Sequence, residues 1–182
     1  MTGPTRTRLL LGLGIAFLAL LSTLLIKGLS SGFPGPTTDT LASCQPGPGA
    51  GRIVEVSLTD FGGMMGTTPM MLALRPNPMS VGAGKVTLVA TNYGQLNHEL
   101  IVLPMPVDGL GTRPVGADGK VNESSSLGEA SRSCGSGVGD GIAPGSRSWV
   151  TIDLQPGSYE LVCDQPWHYA NGMYTAFTVA RS

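Results

Sequence analysis

Two histidines, a cysteine and a methionine in this 182-residue chain stand in an order that could hold one metal ion. The run Cys163-Asp-Gln-Pro-Trp-His168-Tyr-Ala-Asn-Gly-Met173 reads Cys-x4-His-x4-Met, and His98 lies upstream in Gln-Leu-Asn-His98-Glu-Leu. Soft sulfur donors favour Cu(I), whereas imidazole suits both oxidation states, so this mixed set lets a single copper ion cycle by one electron. Three donors on one short loop come together at small closure cost. The fourth, His98, joins them if its strand lies beside the strand that ends in Cys163.

Taken singly, each donor has a plainer reading: a buried thiol, a structural imidazole, or Met173 as core filling. Their coincidence in type, order and spacing carries the metal reading, because the chain has only two histidines. Zinc is the rival ion, since Cys and His suit it. Met173 speaks against zinc, for which a thioether is a poor ligand.

The patterning around the loop is that of β-structure. Tyr159, Leu161 and Cys163 alternate with Ser158, Glu160 and Val162, which predicts a strand with one buried face and Cys163 pointing inward. Pro156-Gly157 reads as the turn that feeds it. Met173 to Val179, rich in β-branched and aromatic residues, reads as the closing strand. Further strands are expected at 52–58, 70–75, 85–92, 98–103 and 148–154, with strands at 158–163 and 173–180 completing a sandwich or barrel. Asn92-Tyr-Gly94-Gln between two of them suggests a hairpin or a sharp connection; pairing across it is left open.

Pro156-Gly157-x-Tyr159-x-Leu161-x-Cys163, the Cys-x4-His-x4-Met loop and Asn97-His98-Glu99-Leu100 together resemble the cupredoxins. Within them the chain is most similar to the longer-loop group of rusticyanin, auracyanin and sulfocyanin, and to sulfocyanin-like bacterial copper proteins in particular. The resemblance covers roughly residues 52–182. It implies an all-β, Greek-key cupredoxin sandwich with one type 1 (blue) copper held by His98, Cys163 and His168, and Met173 axial. It also implies that His168 presents its edge to the surface as the electron port, within an apolar surround of Pro166, Trp167 and Tyr169. Several cupredoxins carry Asn or Ser directly after the first histidine, where it steadies the ligand loop. Here that residue is Glu99, and Asn97 on the other side is a candidate substitute; Asn97, Glu99 and Trp167 are thus the residues expected around the ligands.

The N-terminal part concerns placement. Arg6 and Arg8 precede Leu9 to Ile26, an 18-residue stretch without a charge that ends at Lys27. That length reaches the lower edge of a membrane-spanning helix, and the flanking arginines predict a cytoplasmic N-terminus and an exported C-terminal domain. A single-pass signal anchor over 1–27 is the preferred reading, with secretion after cleavage the alternative. Residues 28–51, rich in Gly, Pro, Ser and Thr, form a flexible linker. The remaining residues 52–182 suffice for one sandwich domain.

With Cys163 assigned to copper, Cys44 and Cys134 remain as an even pair, and a disulfide between them suits an oxidising compartment. The alternatives are two free thiols or a lipidated Cys44, since Leu41-Ala-Ser-Cys44 resembles a lipobox. The glycine-rich segment 104–145 exceeds ordinary loop length. It reads as an irregular surface insertion with a brief helix near Ser125 to Ser131, and as a lid or docking surface only secondarily. Met64, Met65, Met70, Met71 and Met79 fall close together; core packing or apolar surface is favoured over a second, thioether copper site.

Downstream of Cys44, 8 Lys and Arg face 11 Asp and Glu, so there is no basic stripe for nucleic acid. Catalysis by a second copper centre would need more histidines, and a binuclear site a second cysteine in the loop, so no enzyme and no small-molecule substrate are expected. Membrane-tethered one-electron transfer between redox proteins (a cytochrome, an oxidase or a reductase) is the leading function. A copper carrier or sensor of the same fold is the alternative.

Overall fold

The computed structural model describes residues 44–62 and 71–181. The expected anchor over 1–27, the first part of the linker, and Met64, Met65 and Met70 lie outside the described residues. Among the described residues no helix is long and apolar enough to cross a membrane.

The elements are ten strands: β1 (Arg52–Phe61), β2 (Met71–Asn77), β3 (Ser80–Gly82), β4 (Gly84–Asn92), β5 (Leu100–Pro104), β6 (Gly128–Arg132), β7 (Gly135–Gly141), β8 (Arg147–Leu154), β9 (Gly157–Val162) and β10 (Tyr174–Ala180). Seven of them are the strands read from the sequence, with shifted ends. They hydrogen-bond in the order β2-β1-β4-β8-β7-β6-β5-β9-β10-β3. This is one continuous sheet folded on itself into a sandwich, with β7 joining the two layers through β8 on one side and β6 on the other. The chain crosses between layers from β4 to β5 and from β8 to β9. Strands β4 and β5 therefore do not form a hairpin: β4 pairs with β1 and β8, and β5 with β6 and β9.

The core follows from strand periodicity. Val54, Val56 and Leu58 of β1, Leu72 and Leu74 of β2, and Val86, Leu88 and Ala90 of β4 face Leu100 and Val102 of β5, Leu161 of β9, and Phe177 and Val179 of β10. Cys163 and Met173 belong to this same buried cluster. The donors thus sit at one end of a dry core.

The expected single buried face of β9 is corrected by the structure. Val162 and Glu160, on its other face, are fully buried, because the segment after β5 folds back over β5 and β9. Ile101, Leu103, Val121, Val162 and Tyr169 form a second apolar cluster there, with Val115 against it. The long insertion is accordingly less irregular than expected, for it contains β6 and β7. The brief helix near Ser125 to Ser131 is absent. The Asn122 side-chain oxygen accepts the Ser124 N–H at 2.8 Å, and this local bond competes with helix formation before β6 begins at Gly128.

Cys44 and Cys134 form a disulfide. Next to it in the chain, Ala50 accepts a hydrogen bond from Thr87 Oγ1 on β4, and a Cβ on Gly51 would fall 2.3 Å from the Lys85 carbonyl oxygen. The end of the predicted linker therefore lies against β4. Met71 and Met79 are exposed, so these two methionines belong to the surface rather than the core.

Burying Glu160 requires compensation. Arg113 Nε donates to its Oε2 at 2.5 Å, while Gly111 N–H and Tyr169 O–H donate to Oε1 at 2.8 and 3.1 Å. Burial pushes the Tyr169 hydroxyl up to about 12, so it remains a donor. This network ties the insertion to β9 and to the residue after His168. Arg113→Met would leave a buried carboxylate unpaired and is expected to destabilise the domain by about 3 kcal/mol. Urea unfolding measures this, and an unchanged midpoint would contradict the role assigned to the pair.

Candidate metal centre

Antiparallel pairing of β5 with β9 sets Ile101 opposite Val162 and Val102 opposite Leu161. The residue just before β5 is thereby carried to the residue just after β9, and Glu99 N–H donates to Cys163 Sγ at 3.2 Å. His98 is pinned by a two-way bridge to Ile142, with N–H···O distances of 3.2 and 2.7 Å. Its preceding turn is held by the fully buried Asn92. That side chain donates to the Leu96 and Ile142 carbonyls, both at 2.7 Å, and accepts the Gly94 N–H at 2.8 Å.

The other three donors lie on a loop closed by its own backbone. Cys163 N–H donates to the Met173 carbonyl, Met173 N–H to that of His168, and His168 N–H to that of Gln165, at 3.0, 3.0 and 2.9 Å. Trp167 stands in the left-handed region at φ 69°, which is uncommon for a non-glycine residue and needs support. Its N–H donates to Gly119 O at 2.8 Å, and its carbonyl accepts from Asn171 Nδ2 at 2.8 Å. A Cβ on Gly119 would lie 2.7 Å from the Trp167 nitrogen, so only glycine lets the insertion close over the loop. Asp164 is tied to the same segment, its Oδ1 accepting the Val121 N–H.

These constraints bring three donor atoms together. Cys163 Sγ lies 3.3 Å from His168 Nδ1 and 3.9 Å from His98 Nδ1, and the two Nδ1 atoms are 3.3 Å apart. The point equidistant from the three is about 2 Å from each, near the length of a metal–nitrogen bond. Among the described residues this is the one group of His, Cys, Asp or Glu side chains so converged. Hydrogen bonds among these three atoms depend on which ring nitrogens carry the protons. A cation satisfies all three. Met173 is fully buried at the same end of the core and is bonded through its backbone to both His168 and Cys163.

The surroundings differ in part from those expected. Glu99 turns its carboxylate away from the sulfur to accept from Gln165 Nε2 at 2.6 Å, and only its backbone N–H reaches the thiol. Asn97 is exposed, and the side chain that holds the turn before His98 is Asn92. Tyr169 is buried in the second cluster rather than on the surface around His168. Pro166 and Trp167 remain outside, with Trp167 54 % exposed, and His168 is the only one of the three converged ligands that is not fully enclosed. Asp60 was not anticipated at all. It caps the turn before His98, accepting the N–H groups of Gln95 and Leu96 at 2.5 and 3.0 Å.

Burial sets the protonation of the metal-free site. It lowers His98 to about 4, with His168 adding to the effect and Asp60 opposing it, and it lowers His168 as well. The Cys163 thiol is pushed up to about 12 by burial, against backbone bonds from Gln165 and Glu99 that favour the thiolate. Both imidazoles are therefore ready to bind at neutral pH, and only the thiol must lose a proton. Burial also raises Glu99 to about 6 and Glu123 to about 7, so their titration is largely complete above about pH 8. From there, uptake of a divalent ion is expected to release about one proton, and affinity to rise roughly tenfold per pH unit as proton competition weakens. Calorimetry in buffers of different ionisation enthalpy counts those protons; two or more per ion would contradict the neutral imidazoles.

No protein-family model matches the chain, and no curated protein matches it. Its structure is similar to solved structures of auracyanins and rusticyanins. Auracyanin B aligns with a TM-score of 0.48 and 19 % identity, covering 74 % of this chain and 93 % of that one. Auracyanin A, a blue copper protein from the green thermophilic photosynthetic bacterium Chloroflexus aurantiacus, aligns with 0.44 and 18 %, covering 70 % and 98 %. Rusticyanin from Thiobacillus ferrooxidans aligns with 0.45 and 17 %, covering 80 % and 94 %.

Proposed function

We propose that this chain is a type 1 copper protein that carries single electrons between redox proteins and performs no catalysis of its own. The observation that carries the reading is the convergence of one thiol and two imidazole nitrogens on a buried point, with a buried methionine beside them. Copper, when bound, supplies a one-electron couple that thiolate, imidazole and thioether ligands stabilise in both states. Cys163 provides the thiolate. His98 and His168 hold the ion, and Met173 is the weak axial donor. The N–H groups of Glu99 and Gln165 remove electron density from the sulfur and so help set the potential.

His168 is the route in and out, because it alone of the three converged ligands reaches toward solvent, beside the exposed Pro166 and Trp167. Contact there would be small and transient, as electron-transfer encounters are. The partner would be a cytochrome, an oxidase or a reductase. Anchoring through Leu9 to Ile26 would hold the domain at the outer side of a cytoplasmic membrane, and the Cys44–Cys134 disulfide suits that oxidising side.

The test uses the full chain, purified in detergent and loaded with Cu(II). One copper per chain, an intense visible thiolate-to-copper band, and repeated reduction and reoxidation without metal loss are the expected results. Cys163→Ser should abolish the band. One bound copper without the band would overturn the type 1 assignment, and release of copper on reduction would favour a copper carrier instead.

A further inference from the structure

Asp60 lies near the end of β1, a strand adjoining none of the ligands in the chain. Its side chain is only 7 % exposed, and both oxygens cap the turn before His98. The Oδ1 atom also faces His98 Nε2 at 3.8 Å, and that nitrogen is buried without a hydrogen-bond partner. At this distance the interaction is electrostatic rather than a hydrogen bond. Gly94 makes the approach possible: a Cβ there would fall 1.8 Å from Asp60 Oδ1 and 2.9 Å from His98 Nε2. Glycine at position 94 thus lets a carboxylate and an imidazole edge face each other directly.

The geometry points to Asp60 as a positioning residue that keeps the His98 proton on Nε2, leaves Nδ1 free for the metal, and holds the centre's reduction potential down. A neutral imidazole carries one N–H, and a carboxylate on the Nε2 side draws it there and away from the nitrogen that faces Cys163 and His168. Once Nδ1 is coordinated, Nε2–H carries more positive charge under Cu(II) than under Cu(I). The fixed negative charge of Asp60 therefore stabilises the oxidised ion more. The potential half of the inference rests on the copper reading above; the tautomer half does not.

Asp60→Asn keeps the shape and one acceptor for the cap but removes the charge. Outer partners of metal-bound histidines typically change affinity by 10–100-fold when replaced. About a tenfold loss of preference for Cu(II) over Cu(I) is expected, which raises the potential by about 59 mV for one electron, with the visible band retained. Long-range 15N–1H NMR of the metal-free wild-type chain should show His98 protonated on Nε2, and the variant should show a mixture of tautomers. A band and a potential both unchanged in the variant would overturn the electrostatic role and reduce Asp60 to a turn cap. Wild-type His98 protonated on Nδ1 would overturn the positioning role even if the variant failed to fold. A wild-type chain that binds copper without the band would instead defeat the copper-centre reading, and the tautomer measurement would still decide the positioning role of Asp60.

Discussion

Antiparallel pairing of β5 with β9 is the contact on which the centre depends. The ligand loop supplies Cys163, His168 and Met173 from one short stretch, but His98 is 65 residues away from Cys163 along the chain. Only the register that sets Ile101 against Val162 brings its imidazole to the thiol and places Glu99 N–H on the sulfur. A slip of one residue would turn every side chain of β5 to the opposite face. It would exchange Leu100 and Val102, packed on one face of the pair, with Ile101 and Leu103, packed on the other, and would carry His98 and Glu99 away from Cys163.

The remaining architecture holds these donors in place before any ion arrives. Asn92 and the Ile142 bridge fix His98; the backbone bonds among Gln165, His168, Met173 and Cys163 close the loop; Gly119 and Val121 clamp it from the insertion. Such a frame suits electron transfer, since a site whose ligands do not move costs little to convert between oxidation states. It also explains why burial is tolerated. The thiol and imidazoles lose solvation, which keeps all three neutral without metal, and a bound cation would restore what burial removes.

The donor set was legible because three of its members are close neighbours in the sequence and histidine is scarce. Seven strands were legible, that of 158–163 from period-two alternation and the others from short runs rich in β-branched and aromatic residues. β3, β6 and β7 were not: β3 has three residues, and β7, Gly135–Gly141, is mostly glycine and lacks the side chains that mark a strand. Asp60 and Asn92 escaped notice for a related reason. A lone carboxylate near a strand end and an asparagine before a turn have many ordinary uses, and only the three-dimensional arrangement shows both holding the His98 turn. Asn97 was a candidate because it adjoins His98, yet it faces solvent between β4 and β5. Glu160 and Val162 appeared to form the open face of β9 because no local pattern announces that a distant insertion will cover them.

X-ray absorption at the copper edge of the loaded full chain, recorded oxidised and reduced, tests most directly whether the centre is built in advance. Two nitrogens and one sulfur at about 2 Å in both states are expected, with any thioether contribution longer and weaker. Loss or exchange of a nitrogen or sulfur ligand on reduction would contradict a centre whose geometry the β5–β9 pairing and the closed loop already hold.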